Sequence, residues 1–192
     1  MLIDLSDEEL AVFAKEGNFN AFEELVRRYS SPLFRFVLGL VSDYEDAGDI
    51  LQQSLIQIHT SLPNWQATGS FRNWIFTIAR NKSLDHLRKK RVPTFSQLAR
   101  RRSDEPPSKF FDQLKDDAPL PETLLERQVT RQLLNEAIET LPERYRAVVL
   151  LRYTTDMSFQ EIGQVLQIPE NSAKTFYQRS KALLREYLKD RL

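Results

Sequence analysis

Apolar residues repeat along this chain with the spacing of α-helices. They fall three or four positions apart over long stretches, and no run alternates between apolar and polar residues as a half-buried strand would. In the first half, this spacing predicts helices between Ser6 and Gly17 and over residues 20–40, 42–60 and 71–91. The first half is therefore expected to be all-α.

Two capping boxes support these helix starts. Ser6 with Glu9, and Ser42 with Glu45, have the spacing in which a serine side chain caps a backbone N–H and the acid reaches back. Pro32 lies in the middle of the second helical segment, where a bend is expected because proline lacks a backbone donor.

The character of the sequence changes after residue 91. Residues 92–118 are polar, charged and proline-containing without a clear period, which is typical of a linker. Helices are predicted again from Pro121 to about Thr140 and from Leu141 to about Tyr153. The prediction is an all-α protein with two small helical domains, residues 1–91 and 119–192, joined by a flexible linker over 92–118.

The stretch from Ser158 to Leu184 is typical of two short helices joined by a tight turn. Ser158 and Glu161 form a capping box, and Ile168–Pro169 ends the first helix, since the residue before proline disfavours helical angles. The second helix has one apolar face and turns six polar or basic side chains outward. They are Ser172, Lys174, Thr175, Gln178, Arg179 and Lys181. This pattern predicts a helix-turn-helix whose second helix enters the major groove of DNA.

The net charge of zero conceals an acidic segment followed by a basic segment. Residues 1–50 hold 4 Lys/Arg and 11 Asp/Glu, whereas residues 51–100 hold 8 and 1. An acidic surface suits a protein partner and a basic surface suits phosphates. The chain has no cysteine, which excludes disulfides and thiolate metal sites. No apolar run reaches the roughly 18 residues of a membrane span, so a soluble, cytoplasmic protein is expected.

No constellation of catalytic residues is evident. The two histidines, His59 and His86, lie far apart, and the carboxylates of Asp46 and Asp49 have no third ligand beside them. There is no glycine-rich phosphate loop. The prediction is a protein that acts by binding, with no catalytic residues, no metal, no cofactor and no small-molecule substrate.

Six stretches in a fixed order carry a resemblance to a known family. They are AFEELVRRY (21–29), DAGDILQQSLIQI (46–58), FRNWIFTIARNKSLDHLR (71–88), LPERYRAVVLLRY (141–153), SFQEIGQVL (158–166) and ENSAKTFYQRSKALLRE (170–186). With these, the chain resembles the small, two-domain bacterial RNA polymerase sigma factors of the extracytoplasmic-function (ECF) type. The resemblance implies binding to core RNA polymerase, recognition of −10 and −35 promoter elements, strand opening and transcription initiation. It further implies an anti-sigma protein as a partner.

By this resemblance, the helix over 43–60 docks on core polymerase through exposed acids and amides. These are Asp46, Asp49, Gln52, Gln53 and Gln57. The residues alone leave two interpretations open, a solvated helix face and a binding surface. An exposed row of acids and amides without cations does not suit DNA. Gln53 stands where the family usually has Glu.

The resemblance also implies that residues 62–91 read and melt the −10 element, holding the separated single strand. The candidates combine stacking aromatics with cations that follow a phosphate backbone. They are Trp65, Phe71, Arg72, Arg80, Asn81, Lys82, Arg88, Lys89, Lys90 and Arg91. About half of the aromatics in this segment could equally be core; Trp65 on a loop is expected to stack, and Trp74 to be buried. The basic end could also serve only to complement a helix dipole.

For double-stranded −35 DNA, Lys174, Thr175, Gln178 and Arg179 are expected to reach bases, and Ser172 and Lys181 to hold phosphates. Three residues depart from the family pattern: Ala173, Phe176 and Asp156, where larger aliphatic, polar and glycine residues are usual. The alternative function is a stand-alone helix-turn-helix transcriptional regulator that never meets polymerase. A helical protein that only binds other proteins is a weaker third possibility.

Overall fold

The computed structural model describes residues 2–66, 69–91, 133–189 and 191, and these form helices and connecting turns without a strand. The N-terminal half holds a 3-10 turn at Leu2–Asp4, α1 (Asp7–Lys15), α2 (Phe19–Val41), α3 (Tyr44–Ser61), a second 3-10 turn at Leu62–Asn64, and α4 (Phe71–Arg91). The C-terminal half holds α5, helical over 133–140, then α6 (Glu143–Thr155), α7 (Phe159–Leu166) and α8 (Glu170–Lys189). The all-α prediction is confirmed. The predicted linker and the helix start at Pro121 lie outside the described residues.

Two of the three predicted capping boxes are present. Ser6 with Glu9 begins α1, and Ser158 with Glu161 begins α7. The box predicted at Ser42 is wrong. Ser42 instead ends α2 in the left-handed conformation, with φ of 57°, and the Asp43 side chain caps α3 by accepting from the Asp46 N–H at 2.9 Å. Ser42 is thus needed to turn the chain, and the aspartate that follows it supplies the cap.

The first four helices enclose one aromatic-rich core. Leu10, Phe36, Phe71 and Phe76 are almost completely buried, and the rings of Phe36 and Phe76 pack edge to face with centroids 5.5 Å apart. Pro32 lies inside α2, which runs unbroken from Phe19 to Val41. Each such buried side chain contributes about 1.5–3 kcal/mol. This core fixes the directions in which the outer faces of α3 and α4 point.

The turn between α7 and α8 depends on a glycine. A Cβ on Gly163 would lie 2.8 Å from the Ile168 carbonyl oxygen, too close for any other residue. Gln167 follows in the left-handed conformation with φ of 56°, and α8 begins at Glu170, slightly before the predicted start. Asp156, between α6 and α7, also has a positive φ of 53°, which explains why glycine is usual there.

The two halves pack against each other. α6 lies on α2, where Gly39 accommodates the side chain of Leu150, and α7 lies on the start of α4. Arg72 and Asn73 of α4 make polar contacts to α6 and α7. Most of the buried apolar residues therefore form one continuous cluster that spans both halves. Two helical halves were expected, but the contact between them was not.

Candidate nucleic-acid interface

The outer face of α8 has the predicted orientation. Its inner face is formed by buried Ala173 and Ser180 with half-buried Tyr177 and Leu184. The opposite face exposes Lys174, Thr175, Gln178 and Arg179, while Ser172 and Lys181 are half-buried at its edges. A helix with this face free and the preceding helix packed behind it can enter a DNA major groove.

Several side chains of the α8 face are already oriented. Lys174 pairs with Glu170 at 2.7 Å, and the Thr175 hydroxyl donates to the Asn171 carbonyl at 2.8 Å. Arg179 reaches the Tyr145 hydroxyl at 3.4 Å. These contacts are exposed and individually weak, so base edges can replace them.

The other two departures from the family pattern, Phe176 and Ala173, lie away from the exposed face of α8. Phe176 is half-buried, and its ring packs on Tyr145 of α6 with centroids 5.3 Å apart, so it faces the neighbouring helix and not the groove. Ala173 is fully buried, where α8 meets the rest of the half. Asn171, which the sequence reasoning did not select, is exposed in the first turn of α8. Asn171 lies three residues before Lys174 and four before Thr175, and this helical spacing indicates that it lies on the same face.

The outer face of α3 is polar, as predicted. Asp49, Gln52 and Gln53 are exposed, and Gln57 is half-buried, donating to the Ser61 hydroxyl at 2.6 Å. Ile56 is also on this face and is 58% exposed. The sequence reasoning missed Ile56, although its spacing from Gln52 and Gln53 indicates the same face. A single exposed isoleucine is common on protein surfaces, so Ile56 adds an apolar contact to this face without by itself marking it as a binding surface.

Asp46 differs from the rest of the predicted row. It is half-buried, accepts from Lys90 Nζ at 2.9 Å, and lies 3.0 Å from Nε2 of His86. Partial burial raises the pKa of Asp46, but the hydrogen bond from Lys90 and the charges of His86 and Lys90 hold it below its ordinary value. The expectation of a row without cations is wrong at this position, because the basic end of α4 packs beside the start of α3.

Two aromatics predicted to stack on bases are buried. Trp65 is 5% exposed and Phe71 is 1% exposed, and their rings pack edge to face at 5.5 Å. Lys15 donates to the Trp65 carbonyl at 3.0 Å and holds the loop against α1. Trp74, expected to be core, is only half-buried. The expected exposure of the two tryptophans was therefore reversed.

The polar candidates of α4 are spread along the whole helix. Near its start and middle, Arg72, Arg80 and Lys82 are half-buried and Asn81 is exposed. Arg88, Lys89 and Lys90 are exposed at its end, where Arg88 pairs with Asp85 at 2.7 Å and Lys90 with Asp46. The side chain of Arg91 lies outside the described residues. Burial lowers the pKa of Arg80 despite the nearby charge of Glu143.

Within the part of the chain that the structure describes, the accessible candidates form three separate surfaces and do not gather in one pocket. The α3 face and the basic end of α4 meet at Asp46, the start of α4 lies against α7, and the α8 face is independent of both. Over the described residues there is no group of three or more His, Cys, Asp or Glu that could hold a metal ion. No helix among them is long and apolar enough to cross a membrane. Extended polar surfaces of this kind suit macromolecular partners.

Comparisons with known proteins point to the same kind of function. The profile of Sigma-70 region 2 matches residues 25–92, and that of Sigma-70, region 4 matches residues 131–184. The chain is 28% identical over 176 residues to the ECF RNA polymerase sigma factor SigW of Bacillus subtilis, covering 92% of this chain and 93% of that protein. It is 31% identical over 144 residues to the ECF RNA polymerase sigma factor SigF of Caulobacter vibrioides, covering 75% of this chain and 72% of that protein.

Solved structures share the fold. CnrH, in complex with the cytosolic domain of CnrY, superposes with a TM-score of 0.69 at 22% identity, covering 97% of this chain and 99% of that chain. RpoE of Bartonella quintana, in complex with the anti-sigma factor NepR, gives a TM-score of 0.68 at 18% identity, covering 89% and 98%. At these identities the likeness establishes a common architecture over both helical halves.

Proposed function

The chain belongs to the ECF RNA polymerase sigma factors, and we propose how its surfaces divide the work of binding core RNA polymerase and recognising promoters. Residues 1–91 bind polymerase and the −10 element, residues 119–192 bind the −35 element, and residues 92–118 connect them. The observation that carries it is the exposed polar and basic face of α8 on a helix-turn-helix.

The α8 face is the −35 reader. Lys174, Thr175, Gln178 and Arg179 project from one side of the helix and would reach base edges in the major groove. Ser172 and Lys181 lie at the edges of this face, where the phosphate backbone would run.

The accessible polar residues of α4 serve the −10 element. Arg72, Arg80, Asn81 and Lys82 would hold the separated strand, and Arg88 to Arg91 would hold the phosphates of the flanking duplex. Trp65 and Phe71 are left out because they are buried in the core. Trp74, half-buried beside them, is the better candidate for a stacking contact.

The α3 face binds core polymerase. Asp49, Gln52, Gln53 and Gln57 supply polar contacts, and Ile56 supplies the apolar centre that such interfaces need. Asp46 contributes only if its contacts with Lys90 and His86 are exchanged for contacts with polymerase.

Regulation by an anti-sigma protein also belongs to the proposal. CnrH was solved with the cytosolic domain of CnrY, and RpoE with the anti-sigma factor NepR, and both share the fold of this chain. The protein would act in the cytoplasm, where polymerase and promoters are, and would have no catalytic activity of its own.

Co-purification with bacterial core RNA polymerase, followed by run-off transcription from the upstream region of the protein's own gene, tests the proposal. Stable binding together with a specific transcript is expected. DNA binding without polymerase binding would overturn the α3 assignment and favour the stand-alone regulator.

Matched variants separate the surfaces. Ile56→Glu should weaken polymerase binding while leaving the helical content and melting temperature close to wild type, since the side chain is mostly exposed. Val12→Glu, at a partly exposed apolar residue of α1, is the control and should leave polymerase binding intact. Equal loss of binding in both variants would contradict the assignment of the α3 face.

A further inference from the structure

Two tyrosines lie together at one edge of the α8 face. Tyr177 of α8 and Tyr153 near the end of α6 have ring centroids 6.4 Å apart, and the Tyr177 hydroxyl donates to the Tyr153 hydroxyl at 3.4 Å. Tyr153 is 67% exposed, whereas Tyr177 is half-buried. The proposed division of surfaces uses neither of them, so an exposed hydroxyl pair beside the recognition helix has no assigned role.

The Tyr177 ring is held in place by residues of α7 and α8. Phe159, the first residue of α7, packs on it with centroids 5.3 Å apart, and Lys181 Nζ lies 5.8 Å from its centre. The guanidinium of Arg152 lies 5.5 Å from the centre of the Phe159 ring. This edge therefore joins α6, α7 and α8 and carries two cations. A ring that is already held loses little freedom when its hydroxyl meets a ligand.

The Tyr153 hydroxyl is suited to donate to an anion. The hydrogen bond from Tyr177 and partial burial raise the pKa of Tyr153, so the hydroxyl keeps its proton well above neutral pH. Among the residues that the structure describes, no group accepts that proton. Tyrosine hydroxyls are regular donors to DNA phosphates, and the positive charge of Lys181 beside the pair favours an anionic ligand.

We propose that Tyr153 donates to a backbone phosphate of the −35 duplex beside Lys181, and that Tyr177 is the residue that positions it. This rests on the proposed role of the α8 face as the −35 reader. When a recognition helix lies in the major groove, the phosphate backbones run along the edges of its exposed face. A contact there fixes the orientation of α8 in the groove without reading a base.

Titration of a fluorescent promoter fragment tests this contact. The full chain, bound to core polymerase, is titrated at a temperature at which the strands stay paired. Tyr153→Phe removes only the hydroxyl and should raise the Kd by about 2- to 10-fold, the range for one hydrogen bond. The factor should be equal for fragments with the matched and a scrambled −35 element, because phosphate contacts carry no sequence information. Tyr187→Phe, the same change further along α8, is the control and should leave the Kd unchanged.

Salt dependence distinguishes a lost hydroxyl contact from a displaced helix. A neutral hydroxyl releases no counterion, so Tyr153→Phe should leave the slope of log K against log salt concentration unchanged. Lys181→Gln should make that slope shallower by about 1, as expected for one lost phosphate contact of a cation. Displacement of the whole of α8 would instead reduce the slope and the preference for the matched element together, and would overturn the proposed contact.

A double-variant cycle tests the positioning role of Tyr177. Tyr177→Phe should weaken binding less than Tyr153→Phe, because it removes only the hydrogen bond that turns the Tyr153 proton outward. In the Tyr153→Phe background, Tyr177→Phe should have no further effect, since Tyr177 acts through Tyr153. Additive losses would show that Tyr177 contributes independently and would contradict its positioning role.

A neutral backbone locates the phosphate. Promoter fragments that carry one methylphosphonate at successive positions beside the −35 element remove the charge of one phosphate at a time. At one position, the change should weaken binding of the wild-type chain and leave binding of Tyr153→Phe nearly unaltered. If both proteins respond alike at every position, the proposed contact is wrong.

The outcomes separate this inference from the proposed function. If the wild-type complex binds matched and scrambled −35 elements equally well, the assignment of the α8 face is wrong. If it prefers the matched element but Tyr153→Phe binds as tightly as wild type, the phosphate contact is wrong. Weaker co-purification of Tyr153→Phe with core polymerase would show that the exposed ring contacts protein instead, and would also overturn the inference.

Discussion

Gly39 offers a sharp test of the packing between the two halves. It lies within α2, and a Cβ built on it would be 2.5 Å from Cδ2 and 2.7 Å from Cδ1 of Leu150 in α6. Leu150 is only 7% exposed, so its side chain has little room to move away. The substitution Gly39→Ala therefore sets a local gain in helix stability against a clash with the other half.

The two effects can be weighed. Alanine in place of a helical glycine stabilises a helix by about 1 kcal/mol. Overpacking a well-filled contact costs about 1–3 kcal/mol. In the wild-type background, Gly39→Ala should thus lower the free energy of unfolding by roughly 0–2 kcal/mol. In a Leu150→Ala background the clashing atoms are gone, so the same change should raise it by about 1 kcal/mol. The expected coupling is about 1–3 kcal/mol.

Urea denaturation followed by tryptophan fluorescence measures this cycle. Both tryptophans, Trp65 and Trp74, belong to the N-terminal half, so the signal reports on the half that contains Gly39. Gly48→Ala in α3 is the control, because a Cβ there meets no atom within 4 Å. It should stabilise in both backgrounds. If Gly39→Ala has the same effect with and without Leu150, the close approach does not govern the packing and the reasoning is refuted.

Three further predictions concern the core, acid stability and promoter recognition. Trp65→Ala should cost about 3–5 kcal/mol of stability in urea denaturation, because the ring is buried; a loss below 1 kcal/mol would contradict its place in the core. Hydrogen bonds from Arg27 and Arg28 lower the pKa of Glu24 to about 2. The stabilisation this gives is present above pH 4.5 and is lost as the pH falls toward 2, so Glu24→Gln should flatten the acid limb of a stability–pH curve. Arg179→Ala should cost about 1–3 kcal/mol in −35 binding by fluorescence anisotropy, with polymerase binding unchanged.

Local signals in the sequence were sufficient for most of the fold. Periodicity gave the helices, and the capping boxes at Ser6 and Ser158 gave two of their starts within one residue. The orientation of α8 followed from the spacing of its buried positions. The error at Ser42 arose because two adjacent residues could both cap α3, and only the left-handed turn that ends α2 decides between them.

The candidate site depended more on contacts distant in sequence. Trp65 follows a loop-forming proline, and its local sequence does not indicate burial. Lys15, 50 residues earlier in the chain, donates to its carbonyl, and its ring packs on the buried ring of Phe71. The partners of Arg72 lie more than 80 residues away on α6 and α7. Spacing along one helix cannot reveal such contacts. It identified which residues are chemically suited to DNA, but not which of them are accessible in the free chain.

These contacts change the interpretation of the opposed charges in the first hundred residues. From the sequence, the acidic segment was expected to bind a protein and the basic segment to bind phosphates. In the folded chain, Asp46 of the acidic segment instead holds Lys90 of the basic one, and Arg72 holds Glu161 of the C-terminal half. Asp46 is proposed to bind polymerase and Lys90 to bind promoter DNA, so their contact joins residues with different partners. Glu161 binds Arg72, which is proposed to hold the −10 strand. A promoter phosphate that binds Lys90 or Arg72 exchanges an internal ion pair for a new one. Because salt screens both pairs, moderate salt should weaken promoter binding less steeply than the count of exposed cations implies.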